Sequence, residues 1–517
     1  MRPFELVLIL LAIVTALTVV ARRLAIPYPI VMVLGGLVLS LIPGVPPLEL
    51  PPDVVFLVFL PPLLFAAGYF TSLRDFKADL RPIVLLAFGL VLFTATIVAV
   101  VAQALLPTLG WAGAFALGAI VSPPDAVAAT AIFQRLGVPR RIVTILEGES
   151  LVNDATALVI YRFAVAAASA GTFSLLDASA SFVIVLVGGI VAGLVLAVAA
   201  GWFLARVLEP AIAVTITLLA PYAAYLLAEY LGVSGILATV VAGLYGRSAM
   251  RHTSSDTRVV ATGAWQMVTF LLNGLVFVLI GLQLPNVLGG LATAPDRMAV
   301  ITGAVVLAVV VARIVWVFPA TYVPRWLSSA LRRADPSPPW QAVFIVSWSG
   351  LRGVVSLAAA LALPIGFPER DLILFLVFTV ILVTLVGQGL TLPLVIRGLG
   401  IASEGDVEHD MAHARGLTGE AALARIEELR DRWPGHLELI DQLRDRYTHR
   451  ARHDEAHHGE EPGAAEQELL EHTQIRREII DAERRAALDL HERGVLSDDV
   501  LRRIERDLDL EDLRMEA

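Results

Sequence analysis

Hydrophobic positions in residues 1–401 fall in long, nearly uninterrupted runs, not in the one-sided stripe of a soluble amphipathic helix. A bilayer core of about 30 Å takes roughly 20 apolar residues per helix. On that template the runs predict thirteen membrane spans, near 4–21, 28–44, 54–71, 82–106, 111–133, 142–168, 181–205, 209–231, 233–246, 262–284, 298–321, 341–364 and 372–396. The first run, Phe4–Ala21, lacks a clear small-residue cleavage site and is followed by Arg22 and Arg23. It therefore reads as a retained span, not a signal peptide. Beyond residue 401 the pattern changes to Ala, Leu, Glu and Arg, which are good helix formers. Leu469, Leu470, Ile475, Ile479 and Ile480 suggest amphipathic helices there, and 451–465, with Pro, Gly and charges, reads as a linker. The chain divides into a membrane body, 1–401, and a mainly helical tail, 402–517.

Charge sharpens this division. The chain is 57% hydrophobic and 17% charged, with a mean hydropathy of +0.75. That excludes an ordinary soluble enzyme, and a net charge of −9 argues against nucleic acid as a partner. Residues 402–517 hold 17 Arg against 31 Asp and Glu, so the tail is acidic while the body is net basic. Basic residues follow the odd-numbered spans: Arg22 and Arg23, then Arg74, Lys77 and Arg81, then Arg135, Arg140 and Arg141. Arg206 comes next, then Arg247, Arg251 and Arg258, then Arg325, Arg332 and Arg333. After even-numbered spans stand only Arg297 and Arg370, with Arg2 before the first. The positive-inside rule then puts the N-terminus outside and the tail in the cytoplasm. One Lys against 38 Arg hints at a GC-rich bacterial genome and hence a bacterial inner membrane. There is no cysteine, which removes disulfide and thiolate chemistry.

Two spans are broken. The fifth contains Ser122, Pro123, Pro124 and Asp125, and a Pro pair removes backbone donors from a helix interior. The twelfth contains Ser347-Trp348-Ser349-Gly350-Leu351-Arg352-Gly353, polar and glycine-rich at membrane depth. The breaks lie seven helices apart, the spacing of two six-helix repeats with inverted topology. Interrupted helices at matching repeat positions point to the binding site of a secondary transporter.

Ionisable residues at membrane depth mark pathways or pairs. Asp125 lies in the fifth span, Glu147, Glu149 and Asp154 in the sixth, Arg313 in the eleventh and Arg352 in the twelfth. Ser150 and Asp154 share a helix face, with Asn153 beside them. With Asp125 they offer carboxylate, hydroxyl and carbonyl oxygens, the ligands a hard monovalent cation prefers. A desolvated carboxylate can hold either a proton or Na⁺, and competition at Asp154 with access from alternating sides suffices for exchange. Glu149 faces away from Asp154 and needs a buried partner, Arg313 in preference to Arg352. Glu147 either lines a cytoplasmic entry funnel or is simply solvated. Arg162 and Glu229, near outer ends, are expected to reach the interface by snorkelling.

Gly148-Glu149-Ser150-Leu151-Val152-Asn153-Asp154 resembles the signature of sodium/proton exchangers of the cation:proton antiporter-1 family. Pro61-Pro62-Leu63-Leu64-Phe65 with Gly68-Tyr69, the Ser122–Asp125 segment followed by Ala-Val-Ala, and Gly350-Leu351-Arg352-Gly353 are similar to further family motifs. Together they cover about residues 5–400 in the family's order. The resemblance implies a six-helix core with two broken helices crossing at mid-membrane, a dimerisation domain and an elevator-type motion. It implies that Asp154 carries the ion with Asn153 beside it, that Glu149 pairs with Arg313, and that Ser150 and Asp125 contribute secondarily. The Asn-Asp pair goes in this family with electroneutral exchange of one cation for one proton. Two positions depart from the pattern: Ala66 stands where many members have an acid, and Pro124 where a Thr is common.

The expectation is an all-α integral membrane Na⁺/H⁺ antiporter, a homodimer in the lipid bilayer, carrying a monovalent cation against a proton and needing no cofactor. Pro123, Pro124, Gly350, Gly353 and Arg352 would support the breaks. K⁺ or Li⁺ as the cation is the first alternative and a channel the second. No HExxH or GxSxG arrangement supports an intramembrane enzyme. Nine of ten His lie in the tail, which acts either as a pH sensor or as a solvated appendage, and His457-His458 reads as linker.

Overall fold

The structure is a computed structural model that describes residues 3–43, 51–170, 175–207, 209–251, 253–289, 295–401, 405–456, 462–493 and 495–516. Every regular element among these residues is helical. The principal helices are α1 (Pro3–Leu24), α2 (Tyr28–Ser40), α3 (Val55–Phe70), α4 (Leu80–Leu105), α5 (Gly110–Val121), α6 (Ala126–Leu136) and α7 (Arg140–Ala170). There follow α8 (Leu175–Leu204), α9 (Pro210–Tyr230), α10 (Gly235–Met250), α11 (Ser255–Leu282) and α12 (Pro295–Leu327). The body closes with α13 (Trp340–Trp348), α14 (Val354–Leu361) and α15 (Arg370–Leu399). Among the described residues nine helices or helix pairs are long and apolar enough to cross a membrane, and α2, α3 and α10 are shorter apolar helices.

Contacts divide the chain into Met1–Ser403 and Glu404–Ala517. In the first unit, α4, α5 and α7 pack together, α12 lies along α4 and α13, and α14 packs on α5 and α15. In the same unit α10 packs against α3, α8 and α9, while α2 lies along α11. This explains how a helix as short as α10 is retained: its Gly235–Leu244 stretch is almost wholly covered by neighbours. By contrast, α8 exposes Val183, Ile184, Val187, Val195 and Val198, a face suited to lipid.

Of three π-helical segments, Val55–Phe59 opens α3, while Leu85–Leu90 and Val383–Gln388 interrupt α4 and α15. None of the three holds a Pro, and the single glycines within Leu85–Leu90 and Val383–Gln388, Gly89 and Gly387, do not break the hydrophobic run as Pro123-Pro124 does. Such segments are frequent at functional sites, because the extra residue re-aims carbonyls and side chains.

In the second unit, α16 (Gly405–Arg432) packs on α17 (Leu437–Ala456) and α18 (Pro462–Glu492) on α19 (Asp498–Glu516). Arg484 bridges to Asp509 at 2.6 Å across the latter pair. Ile480 is buried, while Ile475 and Ile479 are exposed. The His457-His458 pair lies outside the described residues.

Candidate functional site

The two breaks meet. α5 stops at Val121 because Pro123 and Pro124 supply no N–H to continue it, and α6 restarts at Ala126 with Asp125 as its N-cap. The Asp125 N–H donates to the Leu351 carbonyl at 2.7 Å, a backbone bond between the two interruptions. The Asp125 carboxylate accepts the N–H of Val127 at 2.8 Å and also takes a backbone hydrogen bond from Val354, the first residue of α14. One carboxylate thus faces the N-termini of two half-helices, where the partial positive charge favours an anion.

Glycine permits this approach. A Cβ at Gly353 would collide with the Asp125 carboxylate, and one at Gly350 would lie 2.6 Å from Cδ of Arg313. The Arg352 N–H donates to Oγ1 of Thr384 at 3.1 Å, so the π segment of α15 fixes the second break. The Arg352 guanidinium is buried, and its Nε and Nη1 have no partner among the described residues.

α7 runs past the first break and braces it. Asn153 Nδ2 donates to the Pro124 carbonyl at 2.9 Å, satisfying an acceptor that the break orphans. Ser150 Oγ accepts the Ala126 N–H at 3.4 Å, a long contact. On another face of the same helix Glu149 meets Arg313 in a two-pronged pair, 2.5 Å from Nη1 to Oε1 and 2.8 Å from Nη2 to Oε2. Arg313 also donates from Nε and Nη2 to the Val346 carbonyl, at 3.2 and 3.1 Å. That carbonyl belongs to the last turn of α13 and has lost its helical partner. Arg313 therefore ties α12 to both α7 and the second break. Arg352, the other candidate partner for Glu149, makes no hydrogen bond to it.

Asp154 stands in contrast. It is 7% exposed, close enough to Asp125 for their charges to interact, and makes no hydrogen bond or ion pair with any described residue. Beside it, Oδ1 of fully buried Asn153 also lacks a donor. Two oxygen-bearing groups, one an ionisable carboxyl, are thus left without donors from the described residues at the crossing, an arrangement that fits a cation or a proton. Glu147, two turns from Asp154 along α7, is half-buried and forms no ion pair among the described residues.

Several polar contacts were not visible in the spacing of residues. Arg162 does not reach the interface alone: its Nη2 pairs with both oxygens of Glu229 at 3.1 and 3.0 Å, because two long side chains span the gap between α7 and α9. At the opposite ends of the helices Asp335 collects charges. Its carboxylate lies 2.8 Å from Arg141 Nη2 and 2.6 Å from Arg325 Nη2, with Arg81 at 3.9 Å. Arg141 also grips Asp79 at 2.8 Å. Burial pushes the Asp335 carboxyl upward, but the Arg141 hydrogen bond and the nearby guanidinium charges outweigh it and hold the pKa below the ordinary value. As a sequence, these arginines read only as topological charge; the acids at Asp79 and Asp335 were the available signal that some are paired.

Residues 8–398 match the family described as "sodium/hydrogen exchanger, transmembrane". An uncharacterized Na⁺/H⁺ exchanger of Mycobacterium tuberculosis is 34% identical, over 98% of this chain and 95% of that protein. A sodium, potassium, lithium and rubidium/H⁺ antiporter of Bacillus subtilis is 36% identical, over 76% of this chain and 61% of that protein. The solved sodium proton antiporter MjNhaP1 of Methanocaldococcus jannaschii superposes with a TM-score of 0.61 at 18% identity, covering 77% of this chain and 99% of that one.

Proposed function

Since the chain belongs to the transmembrane sodium/hydrogen exchanger family, a family of multi-pass antiporters, we propose that it exchanges Na⁺ for H⁺ at Asp154 by alternating access. The observation that carries this reading is the unpartnered Asp154 carboxylate beside the unpartnered Asn153 Oδ1 at the meeting of the two breaks. Na⁺ would take oxygens from Asp154 and Asn153, with Ser150 and Asp125 at its edge. A proton would occupy the same Asp154 carboxylate, so the two ions exclude one another.

Stoichiometry follows from the same contrast. Glu149 is neutralised by Arg313, and Asp125 is held by backbone N–H groups at two helix N-termini. Of these three carboxylates Asp154 is the one left to change its partner, so one Na⁺ or one H⁺ balances one charge and the exchange is electroneutral. Pro123, Pro124, Gly350 and Gly353 keep the breaks open, and Arg352 places a fixed positive charge near them. Glu147 would line the cytoplasmic approach. The protein would work as a homodimer in a bacterial inner membrane, with the N-terminus outside and the acidic tail in the cytoplasm. A broader cation range is the second reading, favoured by the name of the Bacillus relative, which includes potassium, lithium and rubidium.

The test is cation-induced proton movement in proteoliposomes, with Na⁺, Li⁺ and K⁺ compared, for the natural protein and Asp154→Asn, with and without a valinomycin clamp. Na⁺-driven proton movement that is insensitive to the clamp and absent in the variant is expected. Exchange in a well-folded Asp154→Asn protein would overturn the assignment, and current at fixed pH without counter-proton movement would indicate a channel.

A further inference from the structure

A cavity of about 250 Å³ lies between α3, α8, α9 and α10, apart from the helix breaks. Ala197, Ala200 and Gly201 of α8 and Ala220 of α9 leave the space, and Phe65 and Tyr69 close it on the α3 side. It opens sideways between α8 and α9, where Phe203 and Leu219 on its rim are 56% and 61% exposed. In a membrane-spanning body that opening faces hydrocarbon. An unfilled apolar space forfeits dispersion contacts on every wall, whereas an acyl chain restores them without burying a polar group.

Two arginines stand at one end of the cavity. Leu204, Ala249 and Tyr69 mark that end, in the last turns of α8, α10 and α3. Arg206 follows Leu204 by two residues; its guanidinium lies 3.7 Å over the Trp202 ring and its Nη1 donates to the Trp202 carbonyl at 2.8 Å. Arg247 adjoins the lining residue Gly246, and its Nη1 donates to the Phe70 carbonyl at 3.1 Å, next to Tyr69. Among the described residues neither arginine has a carboxylate partner, and both keep guanidinium N–H groups without an acceptor. The Trp202 ring adds the aromatic girdle common at the headgroup level.

We propose that this cavity binds one acyl chain of an anionic phospholipid whose phosphate is held by Arg206 and Arg247. The apolar slot accounts for the chain, and two unpaired arginines at one end account for the headgroup charge. Guanidinium groups match phosphate oxygens with paired donors. The occupant is a bilayer lipid, since the mouth opens along the side of the helices and not into the ion site.

The experiment uses the delipidated full-length protein, exposed to an equimolar mixture of dioleoylphosphatidylglycerol and dioleoylphosphatidylcholine and read by native mass spectrometry. One phosphatidylglycerol per chain should persist, in preference to phosphatidylcholine. Arg206→Gln with Arg247→Gln changes exposed side chains only and should erase the preference, by roughly fivefold per arginine. Ala200→Leu with Ala220→Leu fills the slot and should abolish retention of both lipids. Equal retention of the two lipids by the natural protein would overturn the proposal, as would lipid retention by a filled slot. A filled slot that alters the monomer–dimer ratio without loss of lipid would likewise overturn it and assign the groove to a second copy. None of these readouts depends on transport, so the result stands apart from the Asp154 assignment.

Discussion

Two faces of α7 carry carboxylates five residues apart, and their surroundings are opposite. Glu149 meets a guanidinium through two charge-assisted bonds, and that guanidinium continues to the Val346 carbonyl. Asp154 has no partner among the described residues, and neither does the adjacent Asn153 oxygen. Burial alone therefore does not separate a structural acid from an ion-carrying one; Glu149 is the more buried of the two. The difference is whether the fold already supplies a counter-charge. An acid with its charge and geometry satisfied has nothing to offer a passing cation, while one left bare must find a cation or a proton.

The largest effect should come from breaking the satisfied face. Arg313→Met leaves Glu149 as an uncompensated buried charge, at a cost of about 3–5 kcal/mol. The membrane-extracted protein should melt early or fail to accumulate, and Glu149→Leu combined with Arg313→Met should recover much of the loss. Asp154→Asn should do the reverse, leaving the melting temperature near that of the natural protein while silencing exchange. If both variants unfold alike, the contrast between the two faces is wrong.

Gly353→Ala comes next. Its methyl group would enter the space of the Asp125 carboxylate, so the two breaks must separate. A displacement of about 1 Å in a reacting site costs roughly 100-fold. Proteoliposome exchange should fall on that order, with the protein still inserted and helical by circular dichroism. Asp125→Asn keeps a capping side chain and should retain most of the stability with weakened cation affinity. Asp125→Ala should lose about a further 1 kcal/mol through the lost cap, measured by thermal unfolding in detergent.

The smallest effect concerns Asp335. Its pKa is depressed in the folded protein, so its contribution to stability is full above the unfolded value of 3.8 and fades as pH falls through the lower folded value. Asp335→Asn should lower the melting temperature modestly at neutral pH. The gap between variant and natural protein should close on acidification, a change readable by melting curves across pH.

Much of the fold was readable because the rules are one-dimensional. Run length gives a span, the Pro123-Pro124 pair stops α5, and Gly350 and Gly353 stop α13. The π segments were not readable, since Leu85–Leu90 and Val383–Gln388 contain no Pro, and their few small or polar residues, Gly89, Thr384, Gly387 and Gln388, do not interrupt the long apolar runs around them. The site was readable in part. Spacing on α7 separates Asp154 from Glu149, but it leaves two arginines as candidate partners; the glycine at 350 lets the Arg313 side chain pass and reach both Glu149 and Val346. Arg162 and Glu229 stand 67 positions apart, so no local pattern links them.

The sequence by itself determined that this is a helical membrane protein, where two of its helices break, and which side chains carry charge at membrane depth. Hydrophobicity, Pro and Gly act locally, so a single chain displays them. Only the tertiary structure decided which charges are satisfied. Leu351 brought to Asp125, Arg313 to Glu149, and no described residue to Asp154 are relations between distant segments. A charge buried in a membrane is defined by its neighbours as much as by its own chemistry.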